Sequence, residues 1–151
     1  MGDDAKIERA NMDGTGNVVL VDTDIQMPSA LTIDPSENII YWADVVKHSV
    51  EMVNMDGTGR KLLMEIPNNV WGAISSLAVF NSQVFMTTPG NVKSEVPAGI
   101  FRCNRTGDLW SNCSMVIKGM PFYASVKTYG MDSQQISKFI LIIEIIKAAK
   151  I

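Results

Sequence analysis

The feature that most constrains this chain is a hexapeptide that occurs twice. Asn-Met-Asp-Gly-Thr-Gly stands at 11–16 and again, unchanged, at 54–59, an offset of 43 residues. The flanks agree as well: IERANMDGTGNVVL at 7–20 matches VEMVNMDGTGRKLL at 50–63. A weaker third copy, IFRCNRTG at 100–107, aligns Ile100, Arg102, Asn104 and Gly107 with Ile7, Arg9, Asn11 and Gly14. It lies 50 residues beyond the second copy, so that unit carries an insertion. Self-similarity at a period of about 20–50 residues marks solenoids, propellers and arrays, in which each unit is one supersecondary element.

The units alternate short apolar or β-branched runs with turn signals. Ala30 to Asp34, Ile39 to Asp44, Ser49 to Asn54 and Arg60 to Met64 are each of strand length, with no room for helices between them. All six prolines fall near run ends, where a missing N–H does least harm. Asp13-Gly14 and Asp56-Gly57, preceded by Asn11 and Asn54, each lie between two such runs. Asp-Gly is a strong hairpin signal, because the turn needs a positive φ that glycine adopts without steric cost. A calcium or ligand loop is the alternative reading, but a repeated hairpin needs no ligand to explain it. Four strands in 43 residues match one blade of a β-propeller. In such a fold Tyr41 and Trp42 serve first as packing and rim residues, with ligand binding the second reading.

Three stretches together resemble the YWTD (class B) repeats of the low-density lipoprotein receptor family: LTIDP at 31–35, YWAD at 41–44 and VEMVNMDGTGRKLL at 50–63. Asp34 and Asp44 are the acidic signature positions. The resemblance covers residues 6–87 clearly and 98–130 loosely. YWAD departs from YWTD by one residue, and the second unit keeps only Phe85-Met86-Thr87-Thr88, which weakens the Asp-mediated contact there. The resemblance implies an all-β chain, part of a six-bladed propeller on the extracellular side of an endocytic or signalling receptor. It implies protein ligands, such as lipoproteins or yolk proteins, or a role in ligand release on acidification. It also implies neighbouring blades and Cys-rich modules. By that plan residues 7–21 are the outer two strands of one blade, 28–64 and 73–118 are full blades, and 121–129 begin another. Met120-Pro121 echoes Met27-Pro28. Four units at a period of 43 would need 172 residues, so one copy of 151 residues cannot close a ring. The expected product is a fragment of a longer receptor, occupying residues 1–130, with strand edges and blade faces prone to aggregation.

Cys103 and Cys113 flank the third hairpin, with Cys103 in its first strand and Cys113 just before its second. Facing positions across a hairpin can approach disulfide distance. Asn104-Arg105-Thr106 and Asn112-Cys113-Ser114 are glycosylation acceptors. Two acceptors and two cysteines around one exposed loop point to an oxidising, secreted environment. His48, in the link after YWAD, is a candidate endosomal proton sensor, against the plainer reading of a solvated loop residue. Trp71, at the start of a blade, is either a docking residue or a cap on the core between blades, and Trp110, within the glycosylatable loop, is a weaker candidate.

Other classes are disfavoured. With 13 Lys and Arg against 16 Asp and Glu, the net charge of −3 gives no reason to expect nucleic acid. One His and two Cys cannot furnish a multi-ligand zinc or iron–sulfur site, so no metal or cofactor is expected. One His and no triad also argue against an enzyme. An intracellular WD-type scaffold would carry an adjacent Trp-Asp pair, whereas Ala43 separates Trp42 from Asp44. That scaffold and a non-functional truncated product are the alternatives. The acidic, polar opening Met1-Gly2-Asp3-Asp4 leads us to expect no signal peptide here, and no apolar run reaches the roughly 18–20 residues of a spanning helix. Residues 131–135 read as a polar linker. The tail ISKFILIIEIIKAAKI at 136–151 suits a helix through Glu144 and Lys147, or a strand through its isoleucines.

Overall fold

A computed structural model describes residues 5–66, 74–80, 83–90, 95–119, 124–128 and 141–145, the last two stretches as backbone strands. The described chain is entirely β. Its strands are β1 (Ile7–Arg9), β2 (Val18–Val21), β3 (Pro28–Asp34), β4 (Ile39–Asp44), β5 (Ser49–Asn54), β6 (Lys61–Glu65), β7 (Ser76–Phe80) and β8 (Gln83–Thr88), followed by β9 (Gly99–Thr106), β10 (Leu109–Lys118), β11 (Ala124–Thr128) and β12 (Leu141–Ile145). They form four antiparallel sheets from sequence-consecutive strands: β1-β2, β3-β4-β5-β6, β7-β8-β9-β10 and β11-β12. The two full sheets fall where the repeat spacing predicts blades. In the tail, the strand reading holds at Leu141–Ile145, which pairs with β11 from Ala124 opposite Ile145 to Thr128 opposite Leu141.

The repeated hexapeptide folds the same way twice. In each copy the Asp carboxylate accepts hydrogen bonds from the backbone N–H and hydroxyl of the Thr two residues on, at 2.9 and 2.7 Å. The Asn side-chain amide donates to the same Thr hydroxyl, at 3.1 Å from Asn11 and 3.0 Å from Asn54. Gly14 and Gly57 take φ of 83° and 88°, a conformation that costs other residues dearly. These bonds hold Asp13 and Asp56 below the usual carboxylate range, through the bonds from Thr15 and Thr58.

Sheet β3–β6 is sandwiched. All six residues of β4 are buried, and alternate side chains go to opposite faces. Ile40 and Trp42 pack with Ile7, Leu20 and Val21 of the preceding half-sheet and with Ile25 of the connection that follows it. Ile39, Tyr41 and Ala43 pack with Leu77, Val84, Met86 and Phe101 of the following sheet. Each fully buried Ile, Leu, Val, Met or Phe side chain among these contributes about 1.5–3 kcal/mol. The first strands are neighbours in turn, β3 beside β7 and β7 beside β11, so the sheets fan out from a common inner line.

Two details correct the sequence reading. Cys113 lies within β10, not before it, because the hairpin turn is only Gly107-Asp108. Trp110 is likewise in β10 and not in a loop. It is buried and stacks on Tyr41 with ring centroids 5.2 Å apart.

Candidate functional site

Asp44 ends β4 and is 1% exposed. One carboxylate oxygen accepts from the backbone N–H groups of Gln26 and Met27, at 2.7 and 3.0 Å. The other accepts from Val46 and Lys47, both at 3.0 Å. The side chain thereby pins the connection from the preceding half-sheet onto its own β4–β5 turn. Burial pushes its pKa up, but the four amide donors outweigh that and hold it below the usual carboxylate range. In the next unit Thr88 holds this position and accepts a hydrogen bond from the Gly90 N–H at 3.1 Å, in the manner of Val46 on Asp44. Asp34 has a local task, accepting from the Ser36 and Glu37 backbone and the Ser36 hydroxyl across the β3–β4 turn.

Beside Asp44 opens a cavity of about 860 Å³, bordered by Asp24, Lys47, His48, Glu51, Arg60 and Glu65 among others. Its wall is a neutralised charge cluster. Glu51, buried on β5, accepts from Lys47 Nζ at 3.0 Å, from Ser49 Oγ at 3.2 Å and from Arg60 Nε at 2.8 Å. Lys47 Nζ also bonds the carboxylate of Asp24 at 2.7 Å and its carbonyl at 2.9 Å. Arg60 donates to the carbonyls of Thr23 and Asp24, and its guanidinium lies 5.5 Å from the ring centre of Trp42. Burial alone would lower the Lys47 pKa; the hydrogen bonds to Asp24 and Glu51 reverse that and raise it. Asp24 is lowered, first through its hydrogen bond from Lys47. With the donors of Lys47 and Arg60 turned onto protein acceptors, the cluster acts as a clamp between the 22–25 connection and the next sheet.

The sequence singled out none of Glu51, Lys47 and Arg60. A signal was available: Glu51 interrupts an apolar strand, and a buried charge requires partners.

The aromatic candidates sit in the core. Trp42 is 0% and Tyr41 3% exposed, so neither offers a face to a ligand in this structure. The Trp42 Nε1 has no hydrogen-bond partner among the described residues. Burial raises the Tyr41 hydroxyl to about 12, assisted by Glu37 and Asp34. His48 is half-buried on the cavity rim with φ of 51°. Trp71 lies outside the described residues. Asn11, Asp13, Gly14, Asn54, Asp56 and Gly57 are spent on the two turns, and no group of three or more metal-ligating side chains occurs among the described residues.

Cys103 and Cys113 are joined by a disulfide. It spans an irregularity where Asn104 opposes Ser111 and Arg102 opposes Ser114, leaving Asn112 and Cys113 across from Cys103. Asn112 takes the extra position with φ of 51°. The two sequons therefore differ. Asn112 is exposed, whereas Asn104 is half-buried and its amide oxygen accepts from Gln83 Nε2 at 2.9 Å.

No family profile matches the chain. A stretch of 49 residues, 32% of this chain, is 39% identical to Low-density lipoprotein receptor-related protein 8 of Gallus gallus and corresponds to 5% of that protein. Among solved structures the chain is similar to one in the crystal structure of a nidogen/laminin complex, with a TM-score of 0.59 and 27% identity. That match covers 83% of this chain and 44% of the other. The chain thus spans less than half the length of either relative. Its all-β sheets and these relatives together support a β-propeller of this kind.

Proposed function

We propose that the chain is part of an extracellular, protein-binding propeller built from low-density lipoprotein receptor class B repeats. The observation that carries this reading is the Cys103–Cys113 disulfide beside the exposed sequon at Asn112, since such bonds persist in oxidising compartments. Protein binding is supported by the similarity to a chain solved in a nidogen/laminin complex. The receptor assignment is supported by the identity to the chicken receptor-related protein. Lipoproteins and yolk proteins are the proposed ligand class, with Trp71 the aromatic proposed to dock them. His48 is proposed as the acid sensor, facing Asp24, Lys47, Glu51, Arg60 and Glu65 around one cavity.

The test is secretion of the 151-residue chain from a eukaryotic cell behind an added leader, followed by binding to immobilised lipoprotein, yolk protein and laminin at pH 7.4 and 5.5. Glycan on the secreted chain, oxidised cysteines and saturable binding to one of the three support the reading. Retention with free thiols, or no binding at micromolar concentration, sinks it. Identical pH profiles for wild type and His48→Ala end the sensor role.

A further inference from the structure

The disulfide and the two glycosylation acceptors overlap residue by residue in one hairpin. Cys113 is the middle residue of the triplet Asn112-Cys113-Ser114, and Cys103 immediately precedes the triplet Asn104-Arg105-Thr106. Ser114 pairs across from Arg102 on β9, while Asn112 and Cys113 share the place opposite Cys103. Asn112 is exposed there with φ of 51°, and its neighbour is bonded to the facing strand. The sulfurs of Cys103 and Cys113 lie 4.0 and 3.8 Å from Met64 Sδ on β6. Trp110, earlier on the same strand, stacks on Tyr41. The middle of the triplet is thus fixed to its own sheet and packed against the sheet before it.

An Asn-X-Ser/Thr acceptor is defined by its first and third residues. An enzyme that modifies Asn112 must therefore take hold of Asn112 and Ser114 together and enclose what lies between. While both cysteines are thiols, the hairpin can open locally and offer the triplet as a free segment. Once the bond has closed, Cys113 brings Cys103 with it, and with Cys103 the whole of β9, which is itself paired to β8. A sequence separation of 10 leaves the closed loop little slack. The opposite order meets no such obstacle. Asn112 is exposed where the strand bulges, so a chain that already carries the glycan has room for it when the bond forms.

We propose that closure of the Cys103–Cys113 bond ends glycosylation at Asn112, so that the glycan is attached while both cysteines are thiols. In the first step the Asn112 side-chain nitrogen bonds to the anomeric carbon of a lipid-pyrophosphate-linked oligosaccharide. The bond from that carbon to the pyrophosphate oxygen breaks, the lipid pyrophosphate leaves, and the amide gives up one proton. In the second step the two thiols give up two protons and two electrons to the disulfide of a protein oxidant, which becomes a dithiol. The first step leaves the thiols free for the second, whereas the second withdraws the acceptor from the first. Asn104 is governed by the fold instead. It faces Gln83 on β8 and Ser111 on β10, and its amide oxygen is held by Gln83. A glycan on that amide would displace Gln83 within the sheet, so a folded chain does not carry one.

The proposal rests on the secreted, oxidising setting proposed above, but its test is separate from ligand binding. The 151-residue chain is purified free of glycan in three forms: oxidised, reduced with a phosphine, and as Cys103→Ala, which keeps the Asn112 triplet intact. Each is incubated with solubilised oligosaccharyltransferase and lipid-linked oligosaccharide, and peptide mass spectrometry follows the occupancy of Asn112. The reduced chain and Cys103→Ala should be modified at least about tenfold faster than the oxidised chain, because only they can open the hairpin. Oxidised Asp44→Asn, in which the fold is loosened but the bond is kept, should remain slow. Equal rates for the oxidised and reduced chains overturn the proposal. Rapid transfer to oxidised Asp44→Asn overturns it as well, since loosening the fold would then be enough. So does a lack of transfer to both thiol forms, since the fold alone would then close the site. Equal rates leave the receptor reading standing, and a chain that binds none of the three ligands leaves these rates unchanged.

Discussion

Replacing Asp44 by Asn tests whether one carboxylate holds the first two sheets together. Four backbone N–H groups converge on it at 2.7–3.0 Å, in a site 1% exposed. The asparagine side chain is nearly the same size but keeps one acceptor oxygen. Its amide group points two new donors at two N–H groups that had an acceptor. Hydrogen bonds to a charged group are worth about 1.5–3 kcal/mol each, so losing two costs about 3–6 kcal/mol. That is a large part of the roughly 5–15 kcal/mol that holds a domain folded. The sign of the pH dependence follows from the depressed carboxyl pKa. Its stabilisation is present above the unfolded-state value of about 3.9 and is lost as pH falls through the folded-state value. Urea unfolding followed by tryptophan fluorescence, from pH 7 down to pH 3, measures both effects. The two proteins should differ most at neutral pH and converge on acidification. Asp34→Asn, whose bonds span one turn, should cost about 1 kcal/mol or less by the same scale of hydrogen-bond energies. A change below about 1 kcal/mol for Asp44→Asn, or a gap that widens in acid, would refute the reasoning.

Glu51→Gln removes the charge that Lys47 and Arg60 share, but both cations are part-exposed and keep Asp24 and the Thr23 and Asp24 carbonyls, so the loss should be about 1–3 kcal/mol, that of weakened charge-assisted hydrogen bonds; thermal unfolding should show it, and added salt should not restore it. Cys103→Ser with Cys113→Ser opens a loop of separation 10, worth about 2.5 kcal/mol on the chain-entropy scale; a urea midpoint unaffected by reductant in wild type would contradict this. In a secreted sample, Asn112→Gln should abolish most of the glycan mass, while Asn104→Gln should leave it, because Asn112 is exposed and Asn104 is bonded to Gln83; peptide mass spectrometry decides between them.

Much of the architecture was legible because the repeat is made of local signals. Asp-Gly turns and strand-length runs at a period of 43 place β1 to β6 within a residue or two. The third unit was legible only in outline. Its cysteines and Asn112 sit in a strand whose irregular register places two residues opposite one, and no residue pattern announces that. The clamp of Glu51, Lys47 and Arg60 was not legible, because its partners include the carbonyls of Thr23 and Asp24, and backbone groups have no letter in a sequence. The tail was ambiguous since isoleucine-rich segments fit either regular structure, and its pairing with β11 is non-local. Tyr41 and Trp42 were read as packing and rim residues; both are packed and neither lies on a rim, since a strand buried on both faces loses the polar alternation that would mark an exposed edge.

The two hexapeptide turns bear on how such a chain can grow. Asn11–Gly16 terminates a two-stranded ribbon and Asn54–Gly59 a four-stranded one, yet their internal bonds agree to within 0.1 Å. Each turn makes these bonds among its own six residues, and the second adds one outside them, from the Met55 N–H to the Asn38 carbonyl at 2.8 Å. A duplicated gene segment of this kind arrives with its strand register already set. Adding a wedge to the wheel then requires only that its flat side fit the one before it, a condition met by alternating apolar residues and not by any particular sequence.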